Sequence, residues 1–508
     1  MNRKTLIYSF VTAVLLGFSF PRLSISMFAW VGFIPFFLGI STEIKRKAFW
    51  YGYITGFIFF ILTIYWLLHV TLTGMILLCL YLSLYFASFG YFFAGFRKIF
   101  IRFNIWATIF LSSVWVMLEY LRSNIFSGFP WAILGYSQYL KINIIQLVDI
   151  FGASGLSFII IFVNISFFEM IVWLGQKDYK RALRVFTYIL IIFLAVYSYG
   201  SYSVKKYSLI SKDALDVSLI QGNISQNEKW QSTLRAKIKD VYFDLSKLAM
   251  KDNSDLIIWP ETSYPDYLID SDGNIEKEMN SIVKDMNQPL LFGAVYQKQG
   301  KYFNSAILFS KDRNEMSLYN KIHLVPFGEY IPLRRYCTFL ERFIPIEDFT
   351  PGKESTIFKV DNKDHNTVSF GVLICFEDTM QELSRKLRLK GADFLVNITN
   401  DAWFKNTSSP FQHLQASVFR AVENRVPLVR AANTGVSCLI DNFGRIVNIV
   451  DVDGKSTFVK GFVTGKIMTQ DSLSLYTRFG AIFVLLCGIY VLIFGIFAIV
   501  KMKQLNIF

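Results

Sequence analysis

The sequence predicts an integral membrane protein, with a bundle of about eight transmembrane α-helices and one α/β domain outside the bilayer. Of the 508 residues, 53% are hydrophobic, more than a soluble enzyme of this length usually contains. The apolar residues are concentrated in the domain 1–203 and in the segment 477–508. Between them, residues 204–476 have charges throughout, and short strand-like runs alternate there with polar helical segments.

The membrane helices are predicted where the chain supplies roughly 20 apolar residues in succession, the length that crosses a bilayer. Seven spans are expected before the α/β domain and one after it. They lie near residues 5–20, 25–41, 49–69, 74–96, 104–121, 156–174, 184–200 and 479–500. The first two are short and close together. The segment 122–155 is only weakly apolar, and we expect it to form a loop on the membrane surface.

The orientation in the membrane is predicted from the loops, because Lys and Arg in short loops stay in the cytoplasm. Basic residues cluster in alternate loops: Arg3, Lys4, Lys45, Arg46, Lys47, Arg97, Lys98, Arg102, Lys177, Lys180, Arg181, Arg184, Lys501 and Lys503. The opposite loops hold only Arg22, Arg122 and Lys141. Domain 204–476 is therefore expected outside the cytoplasm. A cleaved signal peptide is the alternative for the first span, but no small-residue cleavage site follows it.

The positive charge of the chain belongs to its membrane segments. Outside residues 204–476 there are 18 basic and five acidic residues, a net charge of +13 out of the total +14. The outer domain is therefore nearly neutral, which argues against a nucleic-acid partner.

The cysteines indicate a reactive thiol rather than a metal site. Cys79 and Cys487 fall in predicted spans, where we expect packing roles, whereas Cys337, Cys375 and Cys438 fall in the outer domain. An odd number in an oxidising compartment leaves at least one thiol unpaired. The four His are scattered and no Cys-x-x-Cys occurs, so neither a metal nor a cofactor is predicted.

The outer domain is predicted to contain a mixed set of strands and helices. Strands are expected at 214–221, 255–259, 290–296, 367–375, 392–398, 428–432 and 437–441. Helices are expected at about 231–251, 273–287, 379–390 and 410–426. Chemistry in such sheets lies where strands end, so the residues that follow each apolar run are the candidates.

Two charged side chains stand out at such positions. Glu261 follows an apolar run that ends at Pro260, which cannot continue a central strand, and its carboxylate is suited to a general base. Lys321 precedes a loop shaped by two prolines and a glycine, and its ammonium is suited to stabilising an oxyanion. The alternatives are a solvated loop glutamate and an ordinary surface lysine.

The third candidate is Cys375, at the end of a buried strand and the start of a helix. Backbone N–H groups at such a turn point at the thiol, so we expect them to lower its pKa and to form an oxyanion hole. The alternative is an inert buried cysteine.

The order Glu261, Lys321, Cys375 resembles the catalytic triad of the nitrilase superfamily of carbon–nitrogen hydrolases. The resemblance covers roughly residues 214–466 and implies an α-β-β-α sandwich. It is supported by NITNDAW (397–403), QHLQ (412–415) and RAVENRVPLVRAANTG (420–435).

Together with its membrane segments, nearly the whole chain resembles the apolipoprotein N-acyltransferase family, which completes bacterial lipoprotein maturation. GFPWAILGYSQ (128–138) and HLVPFGEY (323–330) carry this narrower resemblance. Phe376 departs from the Tyr that is common in the family after the nucleophile.

This resemblance implies a location in the bacterial cytoplasmic (inner) membrane with a periplasmic catalytic domain, and we expect a monomer. The acyl donor would be a phospholipid, and the acceptor the α-amine of the S-diacylglyceryl cysteine that begins an apolipoprotein. Transfer would be ping-pong through a thioester on Cys375.

The resemblance also implies roles for individual residues. Glu261 would be the base, and Lys321 with the N–H of Phe376 would stabilise the oxyanion. Trp230, Phe376 and the apolar stretch 339–349 would keep water away. Glu329 and Glu377 would orient Lys321 or the thiol.

Two other functions remain open at this point. A membrane-tethered amidase would use the same triad with water as the acceptor. A transporter or lipid-binding protein would have a non-catalytic outer domain and ionisable residues along a path in the membrane. Only Glu119 and Glu169 lie clearly inside predicted spans, and Arg122 is one helical turn from Glu119. Thiol alkylation should abolish enzyme activity and leave transport intact.

Overall fold

The computed structural model of the protein describes residues 2–209, 212–229, 231–269, 288–310, 313–331, 334 and 348–504. The chain divides into two compact units, one comprising Met1–Lys206 with Phe479–Phe508 and the other comprising Tyr207–Arg478. The predicted helix 273–287, Trp230, Cys337 and all of the stretch 339–349 except its last two residues lie outside the described residues.

The first unit is helical. Its α-helices are Arg3–Phe18, Ile34–Ile40, Lys45–Ile64, Leu72–Asn124, Ile142–Ile145, Val148–Gly175, Tyr179–Ser208 and Ile482–Gln504. Within the described residues, six segments are long and apolar enough to cross a membrane: Lys45–His69, Leu72–Phe96, Ile105–Asn124, Val148–Gly175, Tyr179–Ser208 and Ile482–Val500. The predicted membrane helical bundle is thereby confirmed as a fold class.

The first two predicted spans differ from the other six. The first helix, Arg3–Phe18, has only 16 residues. The segment near 25–41 is not one helix, because it consists of the 3-10 helix Ser26–Trp30 and the seven-residue α-helix Ile34–Ile40. Pro35 lies in the first turn of the latter, where its missing N–H is tolerated, and it could not sit inside a longer helix without breaking it.

The 53-residue helix Leu72–Asn124 contains two of the predicted spans. The ring of Trp115 lies 5.1 Å from that of Phe86, and the ring of Phe110 lies 4.6 Å from that of Phe96. A straight helix would separate Phe86 from Trp115 by roughly 40 Å. The two halves therefore lie side by side, as two adjacent spans.

The segment 122–155 is packed into the helical unit and is not the surface loop that was expected. The side chains from Trp131 to Tyr139 are buried. Arg122 donates hydrogen bonds to the carbonyl of Trp131, and Glu119 Oε1 accepts one from Leu134 N at 2.8 Å. These two charged side chains satisfy backbone groups that a bilayer would leave without partners.

The second unit contains two β-sheets. Its strands are β1 (Lys212–Gln221), β2 (Leu256–Ile258), β3 (Tyr267–Ile269), β4 (Leu290–Lys298), β5 (Lys301–Ser310), β6 (Arg313–Asn320), β7 (Ile357–Asp361), β8 (Thr367–Ile374), β9 (Phe394–Thr399), β10 (Leu428–Ala432), β11 (Cys438–Ile440), β12 (Ile446–Ile449) and β13 (Gly461–Thr469). In the described part of the unit, the first sheet has the order β13-β1-β2-β4-β5-β6, with β3 beside β4, and the second has the order β12-β11-β10-β9-β8-β7.

The two sheets face each other across one apolar core. Ile258 of the first sheet and Ile374 and Ile398 of the second are fully buried in the same cluster. Helix Arg235–Ala249 covers the outer face of the first sheet, where Tyr242 stacks on Trp259 with ring centroids 5.1 Å apart. Helices Gln381–Leu389 and Ser409–Asn424 pack on the second sheet. The expected α-β-β-α sandwich is thus confirmed.

Parallel pairing in the second sheet brings several strand ends to one edge. β8 is parallel to β9, and β9 is parallel to β10. Ile374, Thr399 and Ala432, the last residues of these strands, therefore lie at the same edge, and Cys375 follows the first of them. This edge is where such sheets place their functional groups.

Candidate active site

Three predicted site residues meet in the second unit. Lys321 Nζ lies 3.7 Å from Glu261 Oε1, and both side chains are buried. The thiol of Cys375 is close enough for the charges of Glu261 and Lys321 to act on its pKa. The structure thus brings together a carboxylate, a cation and a thiol from three separate loops.

Glu261 lies on a tight turn after β2. Thr262 has a φ of +45°, and the N–H of Gly293 in β4 donates a hydrogen bond to the carbonyl of Pro260 at 3.1 Å. A Cβ at position 293 would collide with the backbone nitrogen of Thr262. Glycine is therefore needed there, because the turn carrying Glu261 lies directly against the strand.

Lys321 is 1% exposed and is held by Glu329. Its Nζ donates a hydrogen bond to Glu329 at 2.9 Å, and Glu329 Oε2 accepts a second bond from Val325 N at 2.8 Å. Burial alone lowers the pKa of Lys321, but the nearby carboxylates of Glu329 and Glu261 outweigh it and raise the pKa above the ordinary value. Lys321 is therefore a permanent cation.

Asn304 is a residue of this cluster that was not predicted from the sequence. Its Nδ2 donates hydrogen bonds to Glu261 Oε1 at 2.8 Å and to Glu329 Oε1 at 2.7 Å. One amide thus fixes the two carboxylates that flank Lys321. The only sequence signal is a polar residue inside the apolar stretch of β5.

Cys375 begins a 3-10 helix, Cys375–Thr379, immediately after β8. Its φ is +52°, a conformation that residues other than glycine rarely adopt and that recurs at functional sites. The carbonyl of Cys375 accepts a hydrogen bond from Asn397 Nδ2 at 3.1 Å, and His413 Nε2 lies 3.2 Å from it. Neighbouring side chains therefore hold the strained turn in place.

The pKa of the Cys375 thiol is shifted in the direction opposite to the one expected from the sequence. Burial raises the pKa of Cys375 and the charge of Glu261 raises it further, while Lys321 opposes them. The net direction is upward, whereas the position at a helix start led us to expect a lowered pKa. A buried neutral thiol is favoured at rest, so attack on a substrate requires a base to remove its proton.

Glu377 is fully buried, and its carboxylate accepts hydrogen bonds from backbone N–H groups. Its Oε2 accepts a hydrogen bond from Ile374 N at 2.8 Å, and its Oε1 accepts bonds from Ile322 N at 2.7 Å and His323 N at 3.0 Å. The expected hydrogen bond to Lys321 or to the thiol is absent among the contacts described for it. Burial raises the pKa of Glu377 despite these donors.

Phe376 follows Cys375 and lies against the loop after Lys321. Its ring stacks on that of His323, with centroids 5.9 Å apart and an interplanar angle of 28°. The aromatic packing expected at this position is therefore available without a phenolic hydroxyl.

Four charged side chains form a buried network next to Cys375. His413 contacts Asp378 at 2.8 Å and Asp401 at 3.0 Å. Arg430 contacts the same two carboxylates at 3.0 and 3.1 Å. Burial and Arg430 lower the pKa of His413, but the two aspartates outweigh them and raise it to about 9. A protonated His413 makes this quartet electrically neutral.

The sequence did not single out the charged quartet, although His413 and Arg430 lie in strings that carried the resemblance. Trp230, expected at the site, lies outside the described residues. In the parts of the chain that are described, no group of three or more His, Cys, Asp or Glu residues is arranged to hold a metal ion.

Two family models match the chain. The model for the apolipoprotein N-acyltransferase N-terminal domain matches residues 12–166, in the helical unit. The model for the carbon-nitrogen hydrolase family matches residues 216–464, which include the three clustered residues. The two matches follow the division into a membrane unit and an α/β unit.

Curated relatives match over both units. An apolipoprotein N-acyltransferase from Geobacter metallireducens is 35% identical, over 96% of this chain and 93% of the relative. One from Rickettsia bellii is 30% identical, over 87% of each. Among solved structures, a CN-hydrolase superfamily protein from Xanthomonas campestris is 18% identical with a TM-score of 0.39, covering 50% of this chain and 91% of that chain.

Proposed function

Because the chain belongs to the apolipoprotein N-acyltransferase family, we propose that Cys375 carries an acyl group from a phospholipid to an apolipoprotein. The acceptor is the free α-amine of the S-diacylglyceryl cysteine that begins the apolipoprotein. Family membership makes the chain an acyltransferase and decides against the amidase and transporter alternatives. The clustering of the buried side chains of Glu261 and Lys321 with the half-buried Cys375 is the observation that supports the chemistry.

The first half-reaction acylates the enzyme. Glu261 accepts the thiol proton, and the sulfur of Cys375 forms a bond to the ester carbonyl carbon of the lipid. Lys321 and the N–H of Phe376 stabilise the resulting oxyanion, and losing one such donor typically costs about 10²–10³ in rate. The ester C–O bond then breaks, the proton passes from Glu261 to the departing oxygen, and lysophospholipid leaves.

The second half-reaction discharges the thioester. The lipoprotein amine bonds to the carbonyl carbon, and Glu261 accepts a proton from the amine. When the C–S bond breaks, the thiolate recovers this proton and the amide product leaves. Glu261 is required in both halves because burial keeps the pKa of the Cys375 thiol high.

The surrounding residues support these steps without reacting. Glu329 and Asn304 hold Lys321 and Glu261 at fixed positions, and Glu377 joins the backbone on both sides of the site. We propose that Phe376 helps to exclude water, which would otherwise hydrolyse the thioester. The resemblance implies the same role for Trp230 and the apolar stretch 339–349.

Membrane spans flank the catalytic unit in the sequence, so the enzyme is confined to the membrane that holds both lipid-anchored substrates. We place the protein as a monomer in the inner membrane, with the catalytic unit on the periplasmic side. The alternation of basic loops supports this orientation. Tethering at both ends confines the enzyme to the plane of its substrates, which raises their effective concentration.

The test is mass spectrometry of the purified full-length protein after incubation with phosphatidylethanolamine alone. We expect an acyl adduct on Cys375, release of lysophospholipid, and removal of the adduct by hydroxylamine. A diacylglyceryl peptide should then discharge the adduct to an amide that resists hydroxylamine.

Two outcomes would contradict the proposal. Lysophospholipid that appears only when both substrates are present would favour direct transfer without a thioester. An adduct that water discharges as fast as the peptide does would favour a hydrolase.

A further inference from the structure

Lys229 is a second buried lysine at the site. It ends the one-turn helix Gln226–Lys229 and is 3% exposed. Its Nζ donates a hydrogen bond to the backbone carbonyl of Glu261 at 3.0 Å. A lysine this buried is uncommon unless something near it uses the charge.

The segment that carries Lys229 is fixed to the catalytic edge of the second sheet. Asn433, just beyond β10, accepts a hydrogen bond from Ile224 N at 2.9 Å and donates one to Ile224 O at 2.7 Å. Asn400, just beyond β9, donates a bond to Gln226 Oε1 at 2.9 Å. Lys229 is therefore held beside the strand ends and is not a flexible side chain that folded inward by chance.

The two lysines differ in what holds them. Lys321 has a carboxylate partner in Glu329, whereas within the described residues the only hydrogen-bond partner of the Lys229 ammonium is a neutral carbonyl. Burial lowers the pKa of Lys229 to about 8, although Glu261 and Cys375 act in the opposite direction. The charge of Lys229 is therefore expensive to bury, and it acts on both the base and the thiol.

Among Glu261, Glu329, Lys321 and Lys229, the charges balance only when Lys229 is included. Glu261 and Glu329 contribute two negative charges, and Lys321 supplies one positive charge. Without Lys229 the cluster keeps one excess negative charge, which opposes formation of a thiolate. During attack the proton moves from sulfur to Glu261, so the negative charge moves from Glu261 to Cys375. A cation that acts on both groups favours this transfer.

We propose that Lys229 is a positioning residue that fixes the Glu261 turn and provides the second cation needed to form the Cys375 thiolate. This inference rests on the proposed function, since it assigns a role within the same proton transfer. It also predicts an unusual combination of effects. Removing a poorly compensated buried charge should leave the fold as stable or more stable, while the thiol becomes less reactive.

The experiment measures the rate at which iodoacetamide alkylates Cys375, read by peptide mass spectrometry, in the full-length protein from pH 6 to pH 10. Lys229→Met is compared with the wild type and with Lys247→Met, a change at an exposed lysine of helix Arg235–Ala249. At pH 7.5 we expect alkylation in Lys229→Met to be slower by about 10-fold, one pKa unit, with the profile displaced to higher pH. Its thermal unfolding midpoint should equal or exceed that of the wild type.

Two results would overturn the inference. An unchanged alkylation profile in Lys229→Met would mean that the charge does not act on the thiol. Slower alkylation together with a lowered unfolding midpoint would mean that Lys229 is a structural residue. The acyl adduct of the wild type is measured in parallel. Failure of the wild type to form it, with the alkylation effect intact, would refute the acyl transfer and leave the role of Lys229 standing.

Discussion

Lys321 Nζ donates a hydrogen bond to Glu329 at 2.9 Å, closer than the 3.7 Å that separates it from Glu261. Glu329 is thus the partner that fixes the cation, which leaves Glu261 for its proposed role as the base. Replacing Glu329 with Gln retains the shape and removes the charge. We expect acylation of Cys375 to slow by about 10-fold or more. Rates of adduct formation in Glu329→Gln test this, and a wild-type rate would contradict it.

Removal of the nucleophile should abolish acyl transfer without unfolding the protein. Cys375→Ala deletes one sulfur atom from a half-buried position, so we expect normal insertion and no acyl adduct. Cys438→Ala, in strand β11, is the matched control and should still form the adduct on Cys375. Near-normal lipoprotein acylation by Cys375→Ala would end the assignment of the nucleophile.

The base and the cation should be far more sensitive than surface charges. We expect Glu261→Gln and Lys321→Ala each to lose about 10²-fold or more in the rate of lysophospholipid release. Lys301→Ala, at the exposed start of β5, serves as the control and should retain the wild-type rate. A wild-type rate in Lys321→Ala would remove that residue from the site.

The stability of the catalytic unit should fall as pH rises above neutrality. The pKa of His413 is raised to about 9 in the folded protein from 6.5, so its contribution is complete below pH 6.5 and is lost as pH passes 9. The full difference corresponds to about 3 kcal/mol. Thermal unfolding midpoints between pH 6 and pH 10 should decline over this range. His413→Gln should start lower and decline less between pH 6.5 and pH 9, and equal slopes in both proteins over this window would refute the role.

The catalytic unit should lie outside the cytoplasm. A reporter inserted near Lys251, an exposed residue just after helix Arg235–Ala249, tests this orientation. Alkaline phosphatase, which folds only in an oxidising compartment, should be active there, and a cytoplasmic reporter should be inactive. The reverse pattern would overturn the topology.

The buried strands could be predicted because most of their residues are apolar. Strands β8, β9 and β10 are buried almost throughout, so they are nearly continuous apolar runs, as central parallel strands should be. Strand β13 is only half-buried along most of its length, and its weak apolar pattern did not mark it as a strand. The segment 25–41 is apolar enough for a span, but it is not one continuous helix, and Pro35 lies in the first turn of its second helix.

The three candidate catalytic side chains could be predicted from the sequence, but the residues that hold them in place could not. Glu261, Lys321 and Cys375 each follow an apolar run, which is a local signal. Asn304 is 43 residues from Glu261 and 25 from Glu329 in the sequence, and no local pattern reports such a bridge. The direction of the thiol pKa failed for a related reason, because burial and the charge of Glu261 are tertiary effects that outweigh the turn.

The single carboxylate of Glu377 joins the end of strand β8 to the loop that follows Lys321. Cys375 and Lys321 are therefore coupled through Glu377, so a displacement of either residue also displaces the other. A long acyl chain cannot enter by separating them without breaking these hydrogen bonds. The space for the chain must therefore be formed by side chains outside the segments that Glu377 holds. Selectivity for chain length should be altered by mutations of those side chains and not by mutations of Glu261, Lys321 or Cys375.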